Sequence, residues 1–209
     1  AISLFMHWLR YNLRIDELES TTLQSELKFL KNQINPHFLF NMLNNANILV
    51  KDAPDEASQI LEKLDNLLRY QLNDSTRREV FLTADIQFLT SFLELEKVRR
   101  DHFEYTIFQE GNMENICIPP LLFIPFVENA VKHNLDSDNL SYVHLYFSVH
   151  NKQLTFRCEN SKPRVPVKRE GGIGLANVKR RLDLLYESRY TLQIEDKETT
   201  YNVNLHLNL

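Results

Sequence analysis

The chain has 209 residues, 43% hydrophobic and 25% charged, enough for one large domain or two small ones with a substantial core. A formal net charge of −4 offers no overall attraction to nucleic acid. The two cysteines, Cys117 and Cys158, have neither metal nor redox spacing, so a reducing compartment is the default.

The opening stretch AISLFMHWLRYNLR has an apolar run far short of the ~20 residues that span a bilayer. It reads as the start of an amphipathic helix or as the end of a membrane helix with Arg10 and Arg14 on the cytoplasmic flank, the first being preferred. Met6, Leu9, Leu13, Leu23, Leu27, Leu30 and Ile34 fall on a heptad seam, interrupted by Asp16 and Ser20, and the next step lands on His37. The stretch QINPHFLFNMLNN then places Pro36 directly before His37 in a run of helix formers. Proline inside a helix costs about 3 kcal/mol, so the spacing predicts a distorted helix with an ionisable side chain at the defect. Neutral imidazole is a nucleophile near physiological pH, and Asn41, one turn on, can reach it or a water beside it.

After the turn DAPDEA, a second helix is predicted with Ile60, Leu64, Leu67, Leu68, Gln71 and Leu72 along one face. Two such helices cannot bury their apolar faces alone, and a dimeric four-helix bundle solves that problem. The character changes after NDSTRRE, which divides the chain into residues 1–75 and 76–209. A helix is expected over residues 82–100 with Ile86, Leu89, Leu93 and Val98 toward the core, and another starting at Pro119 and Pro120. Period-two alternation predicts strands with Val143, Leu145, Phe147 and Val149 on one face and Leu154, Phe156 and Cys158 on another. Residues 161–170 read as a mobile basic loop, followed by a helix over 174–186 and closing strands near 191–195 and 201–207. The class is α+β, a helical hairpin followed by an α/β layer.

Two further stretches carry chemistry. In PPLLFIPFVENAVKHN a helix would turn Leu122, Phe126, Ala130 and Val131 to the core and gather Glu128, Asn129, Lys132 and His133 on another side. A carboxylate beside an amide oxygen suits Mg²⁺, and the two basic residues suit phosphate oxygens. In GGIGLANVKRRLDLLY, three of the chain's four glycines (Gly171, Gly172 and Gly174) precede a helix, where exposed N–H groups and the helix dipole favour phosphate. Taken singly, each of the three stretches also fits a purely structural helix or turn.

In combination they resemble a bacterial sensor histidine kinase of the LytS-like branch. QINPHFLFNMLN resembles its phosphoacceptor box, FVENAVKHN its asparagine box, GGIGLANVKRRL its second glycine box, and LELEKVRR the arginine-containing segment between its two modules. The resemblance implies that His37 accepts the γ-phosphoryl group of ATP; Asn41 lies one turn on, and Glu128 is a candidate base from the other module, since Phe38 supplies none. It implies that Asn129 ligates Mg²⁺, that Gly172 and Gly174 form the nucleotide turn, and that Lys132 and His133 lie near the phosphates. It also implies a Bergerat-type ATP-binding α/β sandwich, a homodimer, a response regulator receiver domain as partner, and a sensing segment upstream. The whole protein would then be anchored in the inner membrane with this portion in the cytoplasm. Lys162, Arg164, Lys168 and Arg169 could serve in a phosphate-facing lid.

Two departures from the family pattern stand out. Where relatives carry an aspartate–x–glycine–x–glycine box against adenine, this chain has CENSKPR, so Glu159 or Asn160 would take that contact. Phe38 stands where other branches have an acidic residue after the phosphoacceptor. Two other functions remain open: a catalytically weak dimeric signalling scaffold, and an ATPase of the same superfamily that closes on ATP.

Overall fold

The computed structural model describes residues 36–134, 139–163 and 173–209, and for residues 36–37 and 173–175 the backbone alone. The heptad seam and Gly171, Gly172, Arg164, Lys168 and Arg169 lie outside the described residues. Two compact units divide between Asn44 and Asn45, inside the first described helix, α1 (Pro36–Leu49). In α1, Met42 and Ala46 are buried, while Phe40, Leu43 and Ile48 are exposed.

Helix α2 (Pro54–Arg69) has proline in its first turn, followed by Asp55 and Glu56, which suit the positive end of the helix dipole. Its buried residues, Ala57, Ile60, Leu64 and Leu67, recur at helical spacing against α3 (Leu82–Arg99), and Lys63 pairs with Glu94 at 3.1 Å. A π-helical turn, Tyr70–Asp74, ends α2. The wider winding places Tyr70 inside and leaves Leu72, expected on the core face, 62% exposed. In α3, Ile86, Leu89 and Leu93 are buried as predicted, but Val98 is 44% exposed. The inward position in that last turn belongs to Glu96, which pairs with Arg99 at 2.6 Å and Arg100 at 3.5 Å.

Strands β1 (Val80–Phe81) and β3 (Cys117–Ile118) form a short antiparallel ladder. The main sheet runs in the order β2-β4-β5-β7-β6, with β2 (Phe103–Glu110), β4 (Ser141–His150), β5 (Gln153–Ser161), β6 (Tyr190–Asp196) and β7 (Thr200–Asn208). Only β2 and β4 pair in parallel, and the chain between them makes the required crossover through α4 (Ile124–His133). Helix α5 (Ile173–Tyr186) packs beside α4. Val143, Leu145 and Phe147 of β4 and Leu154, Phe156 and Cys158 of β5 are buried, as their alternation predicts. Phe123, Phe126, Phe147 and Phe156 form the aromatic centre between sheet and α4, with ring centroids 4.5–5.8 Å apart. Gly111, the one glycine outside the glycine-rich turn, takes φ +87, and a Cβ there would collide with the Val149 carbonyl oxygen.

The start of α4 departs from expectation. Pro119 and Pro120 precede the helix instead of opening it, because Leu121 takes φ +55, a left-handed conformation that ends any helical path. The first turn uses Pro125 instead. Leu121 is held from both sides. Its N–H donates to Asp85 Oδ1 at 3.0 Å, and its carbonyl accepts from Arg181 Nη1 at 3.0 Å. Arg181 Nη2 donates to the Pro120 carbonyl at 2.5 Å. Asp85, 0% exposed in the first turn of α3, also accepts the Tyr70 hydroxyl at 2.5 Å, and Tyr70 stacks on Phe88.

Burial raises the Asp85 carboxyl from its ordinary 3.8 to about 6, against the opposing pull of Tyr70, the Leu121 amide and Arg181. Between those two values the folded protein holds a proton that the unfolded chain has released. The associated stabilisation, about 3 kcal/mol, is complete below pH 3.8 and is lost as pH rises through 6. Asp85→Asn has no such proton. The stability of the unmodified chain relative to Asp85→Asn should therefore fall by up to about 3 kcal/mol from pH 4 to pH 7.5 in urea denaturation. A difference that stays constant with pH would contradict the assignment.

Candidate functional site

Helix α4 divides cleanly between its two sides. Ile124, Phe126, Val127, Ala130 and Val131 are buried against the sheet and neighbouring helices. Glu128 and Lys132 are exposed, while Asn129 and His133 are half-buried. These four span an arc of about 140° on the helix circumference, one turn deep. The structure therefore brings the four predicted residues onto one polar stripe. Surrounding protein raises the Glu128 carboxyl by desolvation even though part of the residue meets solvent, as expected for a group in a recess.

The far end of α4 is closed by a residue the sequence reading did not single out. Arg100 Nη2 donates to the Val131 carbonyl at 2.7 Å, one of the orphan acceptors of the last turn, and Nη1 donates to Asn134 Oδ1 at 2.9 Å. Asn134 is fully buried, and its Nδ2 donates to the Tyr142 carbonyl at 3.1 Å, tying the helix end to β4. The guanidinium lies 5.0 Å from the Phe103 ring centroid and is counter-charged by Glu96. Burial lowers the Arg100 pKa, partly offset by Glu96. The signal available in the sequence was a paired arginine at the end of a predicted helix, four residues after a glutamate.

The CENSKPR stretch is part of β5, and a strand sends neighbours to opposite faces. Asn160 is 1% exposed on the helix-covered face with Phe156 and Cys158, and its Nδ2 donates to the Ser161 carbonyl at 2.8 Å. Glu159 points to the open face, where it pairs with Arg157 at 2.5 Å and accepts from Tyr142 at 3.4 Å. The structure brings Asn160 to the same side of the sheet as α4 and does not bring Glu159 there. Lys162 pairs with Asp196 at 2.8 Å and donates to the Lys197 carbonyl at 2.6 Å, which anchors it at the end of β5. Gly174 is the second residue of α5.

His37 and Asn41 lie one turn apart on α1, with Asn41 half-buried. The described part of α1 opens at Pro36, so the predicted helix defect falls at the edge of the described residues. No group of three or more His, Cys, Asp or Glu residues that could hold a metal ion occurs among the described residues. The oxygen donors of the α4 stripe suit a cation that shares its coordination with phosphates and water. Among the described residues no helix is long and apolar enough to cross a membrane.

Comparison with known proteins gives a consistent picture. The family model described as "Histidine kinase" matches residues 25–103. The chain is 30% identical over 207 residues to the sensor protein LytS of Staphylococcus haemolyticus, covering 91% of this chain and 35% of that protein. It is 28% identical over 184 residues to the sensor histidine kinase BtsS of Escherichia coli K12, covering 85% of this chain and 32% of that one. It thus spans about a third of the length of these curated relatives. Among solved structures, the histidine kinase domain of an Erythrobacter litoralis blue-light activated histidine kinase aligns with TM-score 0.49 and 18% identity, covering 91% of this chain and 94% of that one.

Arg100→Met keeps length and apolar volume but leaves Asn134 Oδ1 and the Val131 carbonyl without their donor and Glu96 with Arg99 alone. It should cost about 2–4 kcal/mol in urea denaturation at neutral pH. Arg100→Lys should recover less than half, because an ammonium lacks the planar fork that serves both acceptors. A loss under about 0.5 kcal/mol for Arg100→Met would rule out this account of the helix end.

Proposed function

The chain belongs to the histidine kinase family, in its LytS-like branch, and from that premise we propose that it is the kinase core of a two-component sensor. The observation that carries the reading is the run of similarity over 91% of the chain, which takes in the His37 box together with the α4 stripe. Mg²⁺ and ATP would supply the γ-phosphoryl group and neutralise its charge during transfer. Asn129 and Glu128 offer the oxygen donors for the cation, and Lys132 and His133 the positive charge for the phosphates. Gly172 and Gly174 precede and open α5, where free backbone N–H groups would meet phosphate. Asn160, on the covered face of the sheet, is the candidate for a hydrogen bond to the base, through its carboxamide oxygen, since its Nδ2 donates to the Ser161 carbonyl.

His37 is the acceptor in this reading. Its neutral imidazole attacks phosphorus as a bond to the leaving oxygen breaks, and phosphoryl transfer asks the protein chiefly for positioning and charge neutralisation. Asn41, one turn on, would orient the ring or a water, and Glu128, whose carboxyl is raised by desolvation, is the candidate base. The phosphoryl group would pass next to an aspartate on a response regulator receiver domain. Exposed Phe40, Leu43 and Ile48 on α1 favour a homodimer through residues 1–75, with residues 76–209 as the nucleotide module. The chain would be the cytoplasmic portion of an inner-membrane protein.

One observation favours a second reading, a signalling scaffold with a degenerate nucleotide site. The carboxylate nearest the expected adenine contact, Glu159, is committed to Arg157 on the open face. Incubation with radiolabelled ATP and Mg²⁺ separates the two. The kinase reading expects an acid-labile, base-stable label in the unmodified chain, none in His37→Gln, and labelling reduced at least about tenfold in Asn129→Ala. Pro36→Ala should leave a folded protein that labels more slowly. Absence of both label and ATP binding in the unmodified chain would favour the scaffold.

A further inference from the structure

The turn that leads into α4 joins four elements through one carboxylate. Tyr70 belongs to the π-helical turn that ends α2, Asp85 to the first turn of α3, Leu121 to the left-handed turn two residues before Phe123 caps α4, and Arg181 to the middle of α5. The Tyr70 hydroxyl and the Leu121 N–H both donate to Asp85 Oδ1, at 2.5 and 3.0 Å. Arg181 spans the same turn from the other side, holding the carbonyls of Pro120 and Leu121. A left-handed leucine persists only where its surroundings over-determine it, and here both of its peptide groups are clamped by buried or half-buried charged side chains. The second carboxylate oxygen, Asp85 Oδ2, is buried and has no hydrogen-bond partner. A group serving only to cement the core would be satisfied on both oxygens. A buried oxygen left without a partner, on a carboxylate that Arg181 attracts, marks instead a place where strain is held.

We propose that Asp85 is a positioning residue that fixes the entry of α4 and the middle of α5 relative to the end of α2, with Tyr70 and Arg181 as the two arms through which it does so. The proposal rests on the kinase reading only in taking the α4 stripe and the start of α5 as the nucleotide-binding elements. All three side chains stand outside the α4 stripe. Each acts through the turn that precedes α4 or through the body of α5, so a displacement at the end of α2 reaches the site as a change in the aim of these helices. The element that would transmit it is physically contiguous and is clamped at identified atoms, which is the condition for coupling to be testable.

The test uses the full 209-residue chain and the variants Tyr70→Phe, Arg181→Lys and their combination, each chosen to keep volume and fold. Amide hydrogen exchange should rise about tenfold in residues 121–133 and 176–186 in each single variant, while β4, β5 and β7 stay within about twofold of the unmodified chain. Because both arms act on one turn, the double variant should loosen these helices no further than the more affected single variant. Binding of trinitrophenyl-ATP with Mg²⁺ should weaken about threefold to tenfold in the same variants. Unchanged exchange, equal loosening of sheet and helices, strictly multiplicative effects in the double variant, or loosened helices with undiminished nucleotide binding would each overturn the proposal. An unmodified chain that binds no nucleotide would count against the kinase reading alone, since exchange judges the positioning role without it.

Discussion

The helix layer depends on how one buried negative charge is accommodated. Desolvating a carboxylate completely costs several kcal/mol unless hydrogen bonds and opposite charge offset it. Around Asp85 the offset comes from three different elements, through Tyr70, the backbone of Leu121 and Phe123 at the entry of α4, and Arg181. None of them is local in sequence, so offsetting the burial of the carboxylate and assembling the layer are one event. The left-handed turn at Leu121 follows as a consequence, because its amide must face α3 while its carbonyl faces α5.

The same logic recurs with opposite sign at the other end of α4. Asp85 stands in the first turn of α3 and Arg100 just past its last, an order that also suits the α3 dipole. The two side chains meet the entry and the exit of α4 respectively, Asp85 through Leu121 and Arg100 through Val131 and Asn134. Helix α3 therefore acts as a rail carrying α4 at both ends, and the apolar contacts between them need not specify its axial position. That arrangement places Glu128, Asn129, Lys132 and His133 on the side of α4 away from its buried residues. The aromatic packing of Phe123, Phe126 and Phe156 beneath α4 supplies burial and shape, whereas the charged ends supply register.

Much of this layout was legible in the chain. Period two in residues 143–147 and 154–158 predicts two strands and their inner faces, though Val149 is half-buried where Ser148 is buried, and the helical spacing in residues 126–131 predicts the buried side of α4. The misses have physical reasons. Strand β2 is an edge with aromatic residues on both faces, Phe103 inside and Phe108 stacked on Tyr146 outside, so its alternation is blurred. The spacing of a regular helix points Leu72 inward, and the π-helical turn shifts it out. Val98 lost its inward place to Glu96, since hydrophobicity alone cannot anticipate a buried ion pair. Pro119 and Pro120 looked like a helix start, but the left-handed residue after them is specified by Asp85 and Arg181, distant in sequence. These misses involve a buried polar group, whose partner lies three residues away for Glu96 and sixty for Arg181, a local change of helical winding, or an edge strand.

The candidate nucleotide residues expose a further constraint of backbone geometry. Glu159 and Asn160 look equivalent as candidates for a base contact in the sequence, yet adjacent strand residues cannot share a face. With Phe156 and Cys158 committed to the core, the period of two assigns Asn160 to the covered side and Glu159 to the open one. A hydrogen bond to a base on the covered side would then come from a carboxamide instead of a carboxylate. A carboxamide presents a donor and an acceptor and carries no charge, so it is cheaper to bury, but it gives up the stronger charge-assisted bond that a carboxylate makes to an amino group. In this strand, recognition of the base would rest on fit and orientation, and in the proposed kinase reading the bulk of binding would fall to the α4 stripe and the glycines before α5.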